Sequence, residues 1–123
     1  MRARGFTLIE LLVVMAVLGL LLAIVAPRYV ERVDTAREVT LKHNLAALRE
    51  AIDRFYADRG RYPAELRELV MQRYLRDVPL DPITERSDTW VPVQPPGRSG
   101  PAVFDVHSGA SGTARDGKPY AAW

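Results

Sequence analysis

Glu10 has the most demanding chemical setting in this sequence, because it is the only ionisable residue in an apolar run over residues 6–26. A carboxylate in the middle of a bilayer costs roughly 2.5–3.5 kcal/mol even on insertion scales, so it needs a partner of opposite charge. The run contains no Lys, Arg or His, but cleavage after Gly5 would create an α-amino group at Phe6. We therefore expect Glu10 to pair with a Phe6 ammonium, in its own chain or in a neighbouring copy.

Asp105, His107 and Ser108 are residue types that a hydrolase uses. Successive strand residues alternate faces, so Asp105 and His107 would share one face while Ser108 points away from them. No G-x-S-x-G nucleophile motif surrounds Ser108. The pattern argues against catalysis, and a membrane-tethered hydrolase remains an alternative that requires a cleft around Asp105 and His107. His43 has no second ligand at helical spacing, which predicts a solvated side chain.

The element that must carry Glu10 is a helix that crosses a membrane. Residues 6–26 number 21 and span about 31 Å as a helix, close to the hydrocarbon thickness of a bilayer. Arg2 and Arg4 before the run place the N-terminus in the cytoplasm, although Arg28 and Arg32 after it weaken the contrast. An uncleaved signal anchor is one alternative. A secretory signal peptide fits less well, because the run is longer than the usual 7–15 apolar residues.

Residues 4–10 read RGFTLIE, which resembles the class III signal of type IV pilins and pseudopilins. In that family a prepilin peptidase cuts after the glycine and methylates the new N-terminal phenylalanine. The resemblance implies cleavage between Gly5 and Phe6, N-methylation of Phe6, and roles in assembly for Glu10 and the helix-bending Pro27. It also implies a leader over residues 1–5, a transmembrane and filament-core helix over 6–27, and a periplasmic globular domain over 28–123.

The charge balance of the processed chain argues against a nucleic-acid partner. The chain has 17 Lys and Arg and 15 Asp and Glu. Two of the basic residues leave with the leader, so the processed chain would have 15 basic and 15 acidic side chains. The sequence contains no Cys, which excludes disulfides and thiolate chemistry.

Helical periodicity continues beyond Pro27 to about Ala57–Gly60, where Gly60 suits a helix end and Pro63 blocks continuation. An apolar stripe on this helix predicts a domain packed on its second half: Leu41, Leu45, Leu48, Ile52 and Phe55. Residues 64–70 read as a short second helix, and residues 89–93 and 102–106 as strands. The predicted fold is α+β, a long N-terminal helix packed on a small antiparallel sheet.

The second half of the chain resembles the major pseudopilin of type II secretion more than other pilin-like proteins. Residues 58–63 read DRGRYP and residues 78–82 read VPLDP, similar to two segments of that family. The family's C-terminal loop binds calcium, but one of its aspartates is Ser111 here. Ser108 and Asp116 remain as possible calcium ligands, and calcium, which takes 6–8 oxygens, would bind weakly after that loss.

The resemblance implies a non-enzymatic subunit held in the bacterial inner membrane by a single pass, with its C-terminal domain in the periplasm. It would assemble with copies of itself into a periplasmic pseudopilus that drives protein export. The implied partners are prepilin peptidase, minor pseudopilins, the inner-membrane assembly platform and the membrane, with no nucleic acid. A type IV pilin or minor pilin of a surface fibre and a signal-anchored periplasmic binding domain are the alternatives.

Overall fold

The computed structural model describes residues 4–123, so residues 1–3 of the predicted leader, with Arg2, lie outside the described residues. Two α-helices, two strands and a 3-10 helix follow one another along this part of the chain. Their bounds are α1 Leu8–Arg59, α2 Leu66–Met71, β1 Val91–Val93, β2 Asp105–His107 and the 3-10 helix Tyr120–Ala122.

The chain divides into two compact units, one that ends at Ala36 and one over Arg37–Trp123. The first unit contains an 18-residue window of α1 with mean hydropathy 3.0, none of which is buried. By length and composition, α1 is the helix among the described residues that is able to cross a membrane. A helix that is apolar on all sides and uncovered by its own chain needs lipid or other helices around it.

The second unit is built on the half of α1 after Ala36. All five residues of the predicted apolar stripe are at most 2% exposed, which confirms the prediction that this stripe is core. Side chains from the rest of the unit cover the stripe and complete the core: Leu69, Trp90, Val103 and Val106. Full burial of such a side chain contributes about 1.5–3 kcal/mol, so this stripe supplies much of the stability of the unit.

The helix boundaries follow backbone chemistry at two turns. α1 ends at Arg59, as predicted, and Gly60 has φ +70 while its N–H donates to the Tyr56 carbonyl at 2.8 Å. α2 begins at Leu66, two residues later than predicted, because Glu65 at its N-cap is extended with φ −151 and ψ 163. Gly60 thus has a left-handed backbone conformation, which glycine adopts freely and other residues adopt at a cost.

The predicted sheet is present as two antiparallel strands, with Val91 opposite His107 and Val93 opposite Asp105. The prediction for the second strand, residues 102–106, was displaced towards the N-terminus. The reason lies in the backbone of Val103, whose N–H donates to the Pro63 carbonyl at 2.7 Å instead of joining the ladder with β1. The first strand is also shorter than the predicted residues 89–93 and begins at Val91.

Candidate processing and assembly site

The N-terminus of α1 is closed by reciprocal hydrogen bonds between Thr7 and Glu10. The Thr7 backbone N–H donates to Glu10 Oε2 at 3.1 Å, and the Glu10 backbone N–H donates to Thr7 Oγ1 at 3.3 Å. This arrangement is a capping box, which satisfies two of the backbone donors that a helix N-terminus leaves without partners. Residues 4–7 are therefore held outside the helix, immediately beside the predicted cleavage bond.

The capping box gives Glu10 a role that the sequence analysis did not identify. We had assigned the carboxylate to pairing with a Phe6 ammonium, whereas in the uncut chain it accepts from its own backbone. The signal was present in the sequence, since Thr7 and Glu10 have the S/T-x-x-E spacing immediately before an apolar run. Thr7 therefore joins the set of candidate functional residues.

Gly5 and Phe6 flank the predicted cleavage bond in an open, non-helical segment. A Cβ atom placed on Gly5 meets no other atom within 4 Å. Phe6 is 90% exposed and lines a shallow apolar groove with Ile9, Glu10 and Val13. The fold of the chain itself thus places no steric demand for glycine at this position, and any such demand must come from a partner.

Pro27 lies inside α1, and the helix, Leu8–Arg59, continues on both sides of it. Proline has no N–H, so the carbonyl of Ala23 has no helical donor four residues later. The predicted continuation of the helix beyond Pro27 is confirmed. Its predicted role in loosening the helix during assembly stays a prediction.

Asp105 forms an ion pair across the second unit with Arg49 of α1. Arg49 Nε lies 2.8 Å from Asp105 Oδ1, and a second guanidinium nitrogen donates to the Val106 carbonyl at 3.0 Å. Partial burial pushes the pKa of Asp105 upward, but the hydrogen bonds from Arg49 and from the Val106 amide outweigh it and hold that pKa below its ordinary value. Asp105 is therefore a charged structural link between β2 and α1.

His107 and Ser108 bond to different partners, so the structure does not bring together a hydrolase triad with Asp105. His107 Nδ1 donates to the main-chain oxygen of Trp123 at 2.5 Å. The Ser108 hydroxyl is fully buried and donates to Asp81 Oδ2 at 2.5 Å. A nucleophilic serine needs its base within hydrogen-bond reach, and the partner of Ser108 is a carboxylate buried with it.

Ser108 and Asp116 were predicted as possible calcium ligands. Ser108 Oγ is occupied by Asp81 and by the Ala110 amide, and Asp116 Oδ1 accepts from the Lys118 amide at 3.0 Å in an exposed turn. Within residues 4–123, no group of three or more His, Asp or Glu side chains is placed to hold a metal. Calcium needs about 6–8 oxygens, so the donors present fit it poorly, and calcium binding stays a prediction.

Comparison with protein families gives a match over residues 1–26 to the family described as "Prokaryotic N-terminal methylation motif". This segment contains the predicted cleavage bond, Thr7 and Glu10. No solved structure gives a significant match to the chain.

Among known proteins, the type II secretion system core protein G of Pseudomonas aeruginosa is 35% identical to this chain, covering 88% of the chain and 84% of the relative. The type IV narrow pilus major component PilA5 of Thermus thermophilus is 47% identical, over 42% of the chain and 44% of the relative. The type IV major pilin protein PilA of Myxococcus xanthus is 41% identical, over 50% of the chain and 28% of the relative. The match to each of these two pilins covers at most half of the chain.

Proposed function

The chain belongs to the family of the type II secretion system core protein G, and we propose that it is a structural subunit of a secretion pseudopilus. The observation that carries the proposal is the extent of the likeness. Identity to the Pseudomonas core protein covers 84% of that relative, and so includes both the apolar helix and the domain that follows it. A shared N-terminal segment alone would not separate a secretion subunit from a pilin.

We propose that prepilin peptidase cuts the chain between Gly5 and Phe6 and methylates the new Phe6 amine. The open segment at residues 4–7, held outside α1 by Thr7 and Glu10, leaves the bond accessible to a protease. Because a Cβ on Gly5 meets nothing within 4 Å, substitution there does not strain the chain itself. The demand for glycine would then come from the peptidase, which approaches the backbone too closely for a large side chain.

The proposal is tested by N-terminal sequencing and intact mass of the membrane protein, with and without prepilin peptidase in the host. We expect an N-methylated Phe6 start only in the presence of the peptidase. Gly5→Val should block cleavage and Gly5→Ala should allow it, while both leave the fold unchanged. A chain that begins at Met1 in both hosts would contradict the proposed processing.

Cleavage changes the partners that are available to Glu10. In the uncut chain its carboxylate accepts from the Thr7 amide, whereas in the processed chain a cationic amine lies at Phe6, four residues away. Pairing with that amine, in the same or a neighbouring subunit, offsets the roughly 2.5–3.5 kcal/mol cost of a carboxylate in apolar surroundings. Assembly of α1 helices side by side would thus be favoured by charge neutralisation as well as by apolar packing.

Glu10→Val separates processing from assembly. We expect this variant to be cleaved at Gly5, because Gly5 and Phe6 are unchanged and the Thr7 hydroxyl still accepts from the backbone N–H of residue 10. We expect it to form few filaments, because the Phe6 amine lacks its partner. Glu10→Asp is the matched control, since it keeps the charge with a shorter side chain. Normal filament numbers from Glu10→Val, counted by electron microscopy of the overproducing strain, would refute the pairing.

Among residues 4–123, α1 is the one helix long and apolar enough to cross a membrane, which fits a protein anchored by a single pass. We propose that this is the bacterial inner membrane and that the domain lies in the periplasm, where prepilin peptidase, minor pseudopilins and the assembly platform are its partners. We also propose a purely structural, non-enzymatic role. This is supported by Asp105, His107 and Ser108, each of which is engaged in a separate structural contact.

A type IV pilin of a surface fibre is the second candidate, favoured by the 47% identity to the Thermus pilin over 42% of the chain. Deletion of the gene distinguishes the two. Loss of secreted proteins from the medium with surface fibres unchanged supports the secretion subunit, whereas loss of fibres with secretion unchanged supports the pilin. A monomeric protein that keeps its leader would instead indicate a signal-anchored binding domain.

A further inference from the structure

The C-terminal segment, residues 108–123, is held by hydrogen bonds and ring contacts to side chains of α1 and β2. We propose that these contacts, here named the C-terminal clasp and made by Glu38, Lys42, His107, Tyr120 and Trp123, replace calcium in closing this segment. The chain would then fold and remain folded without the calcium that the resemblance implies. This inference concerns the stability of the domain and does not depend on the proposed role in secretion.

Glu38 of α1 holds two points of the segment at once. Its Oε1 atom accepts from the Arg115 backbone N–H at 2.9 Å and from the Tyr120 hydroxyl at 3.2 Å. These bonds join residues 77 and 82 positions apart in sequence. A single carboxylate therefore ties both the turn at Arg115 and the 3-10 helix to α1, which is the task of a bridging ion in a metal-closed loop.

Trp123 is fixed from three sides. Its ring lies at 5.5 Å from the Tyr120 ring in an edge-on arrangement, and Lys42 Nζ lies 4.7 Å from the ring centroid. Its main-chain oxygen accepts from His107 Nδ1. A cation over an indole face and an edge-on aromatic pair are both favourable contacts. The clasp thus reaches from α1 to β2.

The beginning of the segment is closed by a different contact. Ser108 is fully buried and donates to Asp81, which is also fully buried, so the oxygen that a metal would require is already part of a protein hydrogen bond. Its hydroxyl oxygen also accepts from the Ala110 amide at 3.1 Å. A cation at Ser108 Oγ would have to compete with these two bonds in a dry environment, where a lost hydrogen bond is costly.

The electrostatic surroundings of Asp116 also disfavour a divalent cation. Asp116 lines a groove together with Lys42, Arg49 and Lys118, and the Arg49 guanidinium is paired with Asp105. Two lysines thus share the groove with the single carboxylate of Asp116. Since like charges repel, these lysines disfavour a divalent cation beside Asp116.

The test is thermal unfolding of the full chain in detergent micelles, followed by tryptophan fluorescence. Both tryptophans, Trp90 and Trp123, lie in the second unit, so the signal reports on the domain and not on the membrane segment. We expect the same Tm in excess EDTA and in millimolar calcium. We expect Glu38→Ala to lower Tm by several degrees, and by the same amount in both buffers.

Asp53→Ala is the matched control for Glu38→Ala, because it removes an exposed carboxylate from the same helix. A rise of several degrees in the Tm of the unmodified chain on adding calcium, abolished by Asp116→Asn, would overturn the proposal. It would also be overturned if Glu38→Ala changed Tm no more than Asp53→Ala. Neither result bears on filament formation, so failure of the clasp and failure of the secretion role are distinguishable.

Discussion

The contact between Asp81 and Ser108 gives the sharpest test of how the domain is held together. Both residues are fully buried, and the Asp81 carboxylate accepts from the Ser108 hydroxyl at 2.5 Å and from the Ile83 amide at 2.8 Å. Asp81→Ala leaves the buried Ser108 hydroxyl and the partly buried Ile83 amide without this partner, at about 1–3 kcal/mol each. We therefore expect the free energy of unfolding to fall by about 2–6 kcal/mol.

For a domain of this size, 1 kcal/mol corresponds to about 4–8 °C in Tm, so Asp81→Ala should lower Tm by at least about 8 °C. The assay is thermal unfolding of the full chain in micelles, read by tryptophan fluorescence. Asp81→Asn keeps the side-chain volume and the oxygen that accepts from the Ile83 amide, so it should lower Tm less than Asp81→Ala. Since it is expected to fold, it remains measurable if the alanine variant does not.

A double-mutant cycle with Ser108→Ala isolates the hydrogen bond itself. The two substitutions should be strongly non-additive, with a coupling of about 1.5–3 kcal/mol, because each removes the same charge-assisted bond. Asp88→Ala is the control, since this carboxylate is exposed and pairs only with exposed Arg86. If Asp81→Ala lowers Tm no more than Asp88→Ala, or if the two substitutions simply add, the reasoning is refuted.

Three further predictions concern backbone conformation, pH and close packing. Arg73 follows α2 with a left-handed φ of 64, which strains a residue other than glycine. Arg73→Gly should therefore raise the free energy of unfolding by about 0.5–1 kcal/mol, measured by urea unfolding, and a decrease would show that the backbone at Arg73 is not strained. The pKa of Asp105 is lowered in the folded state, so its stabilising contribution is complete above the unfolded value of about 3.9 and disappears as the pH falls through the folded pKa. Tm measured against pH should show this fall, and Arg49→Gln should reduce it; an unchanged profile would rule out the ion pair as its cause. A Cβ on Gly109 would lie 1.9 Å from the Thr89 carbonyl oxygen, so Gly109→Ala should cost about 1–3 kcal/mol, with Gly5→Ala as a neutral control.

Periodicity predicted the long helix and its buried stripe because a helical repeat is a local property of the sequence. The apolar steps through Leu41, Leu48 and Phe55 marked the face that is now buried, and Gly60 marked the helix end. The second strand was displaced because its position depends on a distant carbonyl. Pro63 accepts from the Val103 amide, and no pattern within residues 102–106 records that bond.

Some residues of the candidate site could be predicted from the sequence, and others could be assessed only from the structure. Gly5, Phe6 and Glu10 could be read from residue type and spacing, and so could the capping partner Thr7, had the spacing of three been used. The calcium ligands could not be assessed from the sequence. Whether Ser108 is free to bind a metal depends on Asp81, 27 residues earlier, whose buried carboxylate already accepts its hydroxyl.

The sequence by itself determined the long apolar helix, the N-terminal methylation motif, the α+β class and the core face of α1, because each depends on composition or on spacings of a few residues. The tertiary structure alone decided the strand register, the Asp81–Ser108 pair and the C-terminal clasp. Contacts such as Glu38 with Tyr120 join residues 82 positions apart. Their partners are chosen by how the chain closes on itself, and hydrogen bonds and ion pairs form only where the fold brings donor and acceptor within about 3 Å.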